Sequence, residues 1–147
     1  MRTIITIGLA IAVMTGCKQS GEKGKTDLAQ GHGHSAAALS IELNDGKKWK
    51  SDSSTQQNVK LLYDMSTRFA DHELAEYKAM GVSLQEGLDK MIRECRMKGK
   101  DHDALHQWLD PFAKSVAELK NATEVDQARK VFGEIHRSLE MYRDYFE

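Results

Sequence analysis

The sequence predicts an all-α protein: an antiparallel up-down four-helix bundle over residues 53–147, preceded by a flexible tether and a short extended arm. Three observations lead there. Apolar residues recur at spacings of three and four from residue 53 to the end of the chain. Turn and cap signals divide that run into four amphipathic segments with short connections, which forces neighbours to run antiparallel. About 95 residues carry the pattern, enough for one hydrophobic core and too few for two.

Residues 1–16 read as a lipoprotein signal peptide. Arg2 supplies a basic start, and Ile4 to Val13 form an apolar run too short to span a bilayer. The run ends in Met14-Thr15-Gly16-Cys17, small residues before a cysteine, as in the lipobox of bacterial lipoproteins. Met14 stands where Leu is more usual, and an ordinary cleaved signal near Gly16 is the competing reading. Cys17 is the expected lipid attachment site, which places the chain in the cell envelope, lipid-anchored and facing the periplasm. The net charge is −1, and removing the leader with Arg2 makes it more negative by one. Such a balance gives no argument for nucleic acid or for an acidic substrate.

Residues 17–40, rich in Gly, Ser, Lys and Ala without apolar periodicity, form the tether. A coil of that length spans on the order of 25–30 Å. It contains Gly31-His32-Gly33-His34, a weak chelating pattern within a linker. Residues 41–52 are the arm, an extended segment or small hairpin around the turn signal Asn44-Asp45-Gly46, with Trp49 expected to pack on the domain.

The first helix places Val59, Leu62, Ser66 and Phe69 on one face, with Ser53/Gln56 or Ser54/Gln57 as a capping box. Asp71 is the expected cap of the second, whose seam is Leu74, Tyr77, Gly81, Leu84, Leu88, Met91 and Cys95. With Gly99 as its stop, this helix should run about 25 residues, about 37 Å. Gly81-Val82-Ser83 is its weak point, where a kink or a fresh cap at Ser83 competes with continuity. Asp101 is the expected cap of the third helix, with seam residues His102, Leu105, Leu109, Phe112, Val116 and Leu119. Pro111 should kink or restart it. The fourth begins at Thr123 and follows Val125, Ala128, Phe132, Ile135, Leu139, Tyr142 and Phe146. Most of the seven methionines, Met65 among them, suit packing.

The chemistry concentrates between Glu94 and Leu109. The chain has two cysteines, and with Cys17 consumed by the anchor, Cys95 has no internal disulfide partner. It is then buried and inert, a metal ligand, or paired with another molecule. His102 and His106 stand at i, i+4, so both imidazoles can face one ion. A thiolate and two imidazoles suit copper or zinc. Met97 is an optional thioether, Met91 lies one turn deeper on the seam, and His136 is a distant partner on the fourth helix; His72 belongs to the opposite end. The competing reading makes Cys95 a core residue and the histidines half-buried caps. No paired carboxylates, nucleophile elbow or phosphate loop point to an enzyme, and Asp103 stands where HExxH needs its Glu.

The segment Glu94-Cys95-x-Met97-Lys98-Gly99-x-Asp101-His102-Asp103-x-Leu105-His106-x-Trp108-Leu109 resembles a signature of small exported helical lipoproteins of Bacteroidota-type bacteria. Leu43-Asn44-x-Gly46-Lys47-Lys48-Trp49 matches their lead-in, and the resemblance covers nearly all of residues 41–147. Members sit among metal-handling or efflux genes, so the resemblance implies metal handling, with Cys95, Met97, His102 and His106 as carried-over candidates. The expected function is membrane-anchored binding of a soft transition-metal ion, copper favoured and zinc next, for buffering, delivery or sensing. The expected partners are the membrane, through the lipid, and an envelope protein or metal-efflux component. The alternative is an envelope adaptor or inhibitor acting by protein–protein contact.

Overall fold

The computed structural model describes residues 41–70 and 73–147. The signal peptide, the tether with its His32 and His34, the lipid site Cys17, the expected cap Asp71 and His72 lie outside the described residues. Four helices follow in order: α1 (Ser53–Thr67), α2 (Leu74–Glu94), α3 (Gly99–Asn121) and α4 (Val125–Tyr145). Among the described residues there is no strand, only isolated bridges between Asn44 and Lys47 and between Trp49 and Phe146.

Side-chain caps set the starts of the first two helices. Asp52 caps α1, its carboxylate accepting the Thr55 backbone N–H at 2.7 Å. The cap therefore lies one residue before Ser53 and two before Ser54, the serines expected from the sequence. Glu73 and Glu76 form a reciprocal capping box that opens α2. Gly81-Val82-Ser83 is helical without interruption. Pro111 also lies inside a continuous α3, which neither stops nor restarts there. The fourth helix opens at Val125, two residues after Thr123, within the usual spread of helix boundaries.

The seams meet in one core. Leu62, Leu84, Leu88, Met91, Leu105, Trp108, Phe112, Val116, Leu119, Ile135 and Leu139 are essentially removed from solvent. At about 25 cal/mol per Å² of apolar surface, such burial is the main force holding the helices together. The helices alternate in direction. Gly81, early in α2, lies against Lys120, at the end of α3. The Trp108 indole on α3 donates to the Ser138 carbonyl of α4 at 2.9 Å. The Ser54 hydroxyl at the start of α1 donates to the Glu94 carbonyl at the end of α2 at 2.9 Å. α2 touches all three other helices, whereas α1 and α3 do not meet.

The arm closes one end of the bundle. Asp45 (φ 50°) and Gly46 (φ 79°) form the turn of a tight hairpin, the left-handed pair that the Asn-Asp-Gly signal anticipates. The Trp49 N–H donates to the Tyr145 carbonyl at 2.8 Å, and the Glu147 N–H returns to the Trp49 carbonyl at 3.0 Å. Trp49 packs against the core, and Ile41 is buried. This end, called the tip below, gathers the start of α1, the end of α2, the start of α3 and the end of α4.

Candidate metal centre

The α2–α3 connection at the tip departs from the sequence expectation. α2 stops at Glu94, not Lys98, and Cys95 is its extended C-cap (φ −60°, ψ 130°). The physical reason is a competitor for the backbone. Asp52, from the start of α1, accepts the Arg96 N–H at 2.6 Å, an N–H that another helical turn would direct at Ile92. Residues 95–98 are non-helical, and Gly99 at φ 63° opens α3 instead of ending α2. Asp101 is not the cap. It sits in the first turn and accepts the Lys50 N–H from the arm at 3.0 Å.

Asp52 is the hub of this junction. Burial acts to raise its carboxyl, but donation from the Thr55 and Arg96 backbone N–H groups and from the neighbouring hydroxyls outweighs it, leaving the group lowered to about 2. Asn58, buried one turn into α1, donates to the Glu94 carboxylate at 2.8 Å and to the Ser54 carbonyl at 2.9 Å. The Ser51 and Tyr142 hydroxyls share a hydrogen bond of 2.6 Å. Burial pushes the Tyr142 phenol up to about 12; Ser51 opposes this, and Asp52 and Cys95 reinforce it.

Each expected ligand now has a place. Cys95 is a free, half-buried cysteine packed against the core. Its N–H donates to the Met91 carbonyl at 2.9 Å, and its carbonyl accepts from the Arg96 guanidinium at 3.0 Å. Met97 follows in the extended segment and also packs against the core. Met91 is 1% exposed within the core. His136 does not reach toward His106. Its Nδ1 pairs with the buried Ser66 hydroxyl at 3.0 Å and its ring stacks on Tyr63 at 5.7 Å, so it faces α1.

His102 and His106 do come together. Their rings stand edge to face with centroids 4.6 Å apart, the result of i, i+4 spacing on the first two turns of α3. His102 is half-buried, and the His106 side chain is 50% exposed. The His106 Nδ1 lies 3.4 Å from the Asp110 carboxylate one turn further on. A carboxylate there favours the proton on Nδ1 and leaves Nε2 as the bare, ligand-ready nitrogen. Asp110 is not among the expected site residues, although a second i, i+4 step from His106 signals it. Among the described residues no group of three or more His, Cys, Asp or Glu side chains is placed to hold a metal ion. Cys95 therefore does not join the two imidazoles in such a group.

Comparison with protein-family models, curated proteins and solved structures returns no match. Among the described residues no helix is long and apolar enough to cross a membrane.

Proposed function

We propose that this chain is a non-enzymatic, lipid-anchored envelope module that binds a transition-metal ion at the tip of its bundle, for buffering or delivery. The His102–His106 ring pair carries the reading. Two imidazoles on one rigid helical face, one with a carboxylate behind it, match the ligand and outer-ligand pattern of copper and zinc sites. Thiolate and thioether favour Cu(I), whereas imidazole nitrogens suit Cu(II) and Zn²⁺. With Cys95 and Met97 turned to the core, the reading moves to the divalent ions. Two ligands make a weak, rapidly exchanging site, which suits handing an ion to an efflux component better than storing it. The Met14–Cys17 motif supports anchoring through Cys17, and a tether of residues 17–40 would hold the tip away from the membrane surface.

Calorimetric titration of the full chain with Cu²⁺ and Zn²⁺ tests this. Saturable binding that disappears in His102→Ala and in His106→Ala is expected. Affinity unchanged by both substitutions removes the proposal. The adaptor reading draws its support from Leu61, Val82 and Ile92, large apolar side chains on α1 and α2 that are 52%, 47% and 51% exposed. It gains ground if neither ion binds.

A further inference from the structure

We infer that two copies of this chain complete one zinc centre between them, with His102 and His106 of each copy as its four ligands. This rests on the imidazole pair being a metal half-site, as proposed above. Zinc in closed protein sites is almost always four-coordinate and tetrahedral, with nitrogen and sulfur ligands. One chain supplies two nitrogens, and among the described residues no third His, Cys, Asp or Glu is placed to help. The remaining positions must be filled from outside the chain's described surface. A second copy is the partner that brings a matched pair, because a two-fold contact presents the same patch from both sides.

The setting of the pair fits that contact. It lies at the end of the bundle, where His106 projects half exposed and Asp103, Gln107 and Asp110 around it are exposed. The face carries both signs of charge, Asp103 and Asp110 with the exposed Lys114 one turn beyond Asp110 and the exposed Lys100 on the preceding turn. Asp110 has a further part, since a carboxylate beside Nδ1 of His106 leaves Nε2 as the nitrogen to bind zinc. The contact would be a single-helix face, too small to hold by area alone, so the dimer should exist only while zinc is bound.

Sedimentation of the full chain in detergent, with zinc sulfate titrated and bound zinc measured in parallel, tests the inference. His32→Ala/His34→Ala serves as the background so that the tether histidines contribute nothing. The expected result is a doubling of protein mass that saturates at one zinc per two chains. Chelation should reverse it, and His106→Ala should abolish it. One zinc per chain with unchanged mass overturns the shared centre while leaving the half-site intact. Loss of all zinc binding overturns both. A dimer that forms without zinc, or that survives His106→Ala, overturns the inference as well.

Discussion

The Asp52 carboxylate accepts the backbone N–H of Arg96 at 2.6 Å across a separation of 44 residues, and in doing so it ends α2 and aims the connector that leads into the histidine face. The same carboxylate caps α1 through Thr55. One side chain therefore links the start of one helix to the end of the next.

Acid unfolding should report this residue. The Asp52 carboxyl is lowered from 3.8 to about 2 in the folded protein, so its contribution is complete above the unfolded value and is lost as pH falls through the folded one. Between about pH 4 and pH 2 the wild type should lose stability more steeply than Asp52→Asn in urea unfolding. At neutral pH, Asp52→Ala should cost about 1–2 kcal/mol from the lost α1 cap. Parallel pH curves for wild type and Asp52→Asn would contradict this.

Two glycines should respond in opposite directions to the same substitution. A Cβ at Gly81 would meet Lys120 Cγ at 2.9 Å and the Lys120 backbone N at 3.0 Å, and backbone cannot swing aside. Gly81→Ala should destabilise by about 1–3 kcal/mol despite alanine's better helix propensity. At Gly133 the nearest atom is an Arg137 Nη1 at 3.9 Å, so Gly133→Ala should stabilise by up to about 1 kcal/mol. Thermal midpoints should move by about 4–8 °C per kcal/mol for a domain of this size.

Trp108 is fully buried, stacks on Phe112 at 4.9 Å and donates to the Ser138 carbonyl. Trp108→Ala should lower stability by about 3–5 kcal/mol. Trp108→Phe, which keeps the ring contact and loses the donor, should cost clearly less. Denaturant midpoints at unchanged slope would separate the two terms.

The carboxylate behind His106 should matter to affinity without being a ligand. Asp110→Asn should weaken Zn²⁺ or Cu²⁺ binding by roughly tenfold and leave thermal stability nearly unchanged, because Asp110 is 77% exposed. Equal affinity in the variant would show that the 3.4 Å contact has no part in tuning the ring.

Periodic features of the fold were legible because they are local. Most of the three-four seam residues that predict four helices are buried, whereas Phe69, Leu74, Cys95, His102, Val125 and Phe132 are only half-buried and Trp108 and Val131 join the core from outside the seams; Asn44-Asp45-Gly46 forms the turn its composition requires. The His102–His106 juxtaposition follows from helical spacing in the same way. What could not be read is what depends on distant partners. Cys95 looked like one more seam position on α2 until Asp52 of another helix withdrew the Arg96 N–H. His136 looked like a partner for His106, but its direction is set by Ser66 and Tyr63 across the α1–α4 contact. Pro111 suggested a break, yet packing of Trp108, Leu109 and Phe112 on either side keeps α3 continuous.

The most direct measurement of the central claim is equilibrium dialysis of the full chain against Zn²⁺, comparing His102→Ala with Cys95→Ser in the His32→Ala/His34→Ala background. The imidazole-pair account predicts that binding is lost in His102→Ala and kept at wild-type affinity in Cys95→Ser. Binding kept in His102→Ala and lost in Cys95→Ser would contradict it.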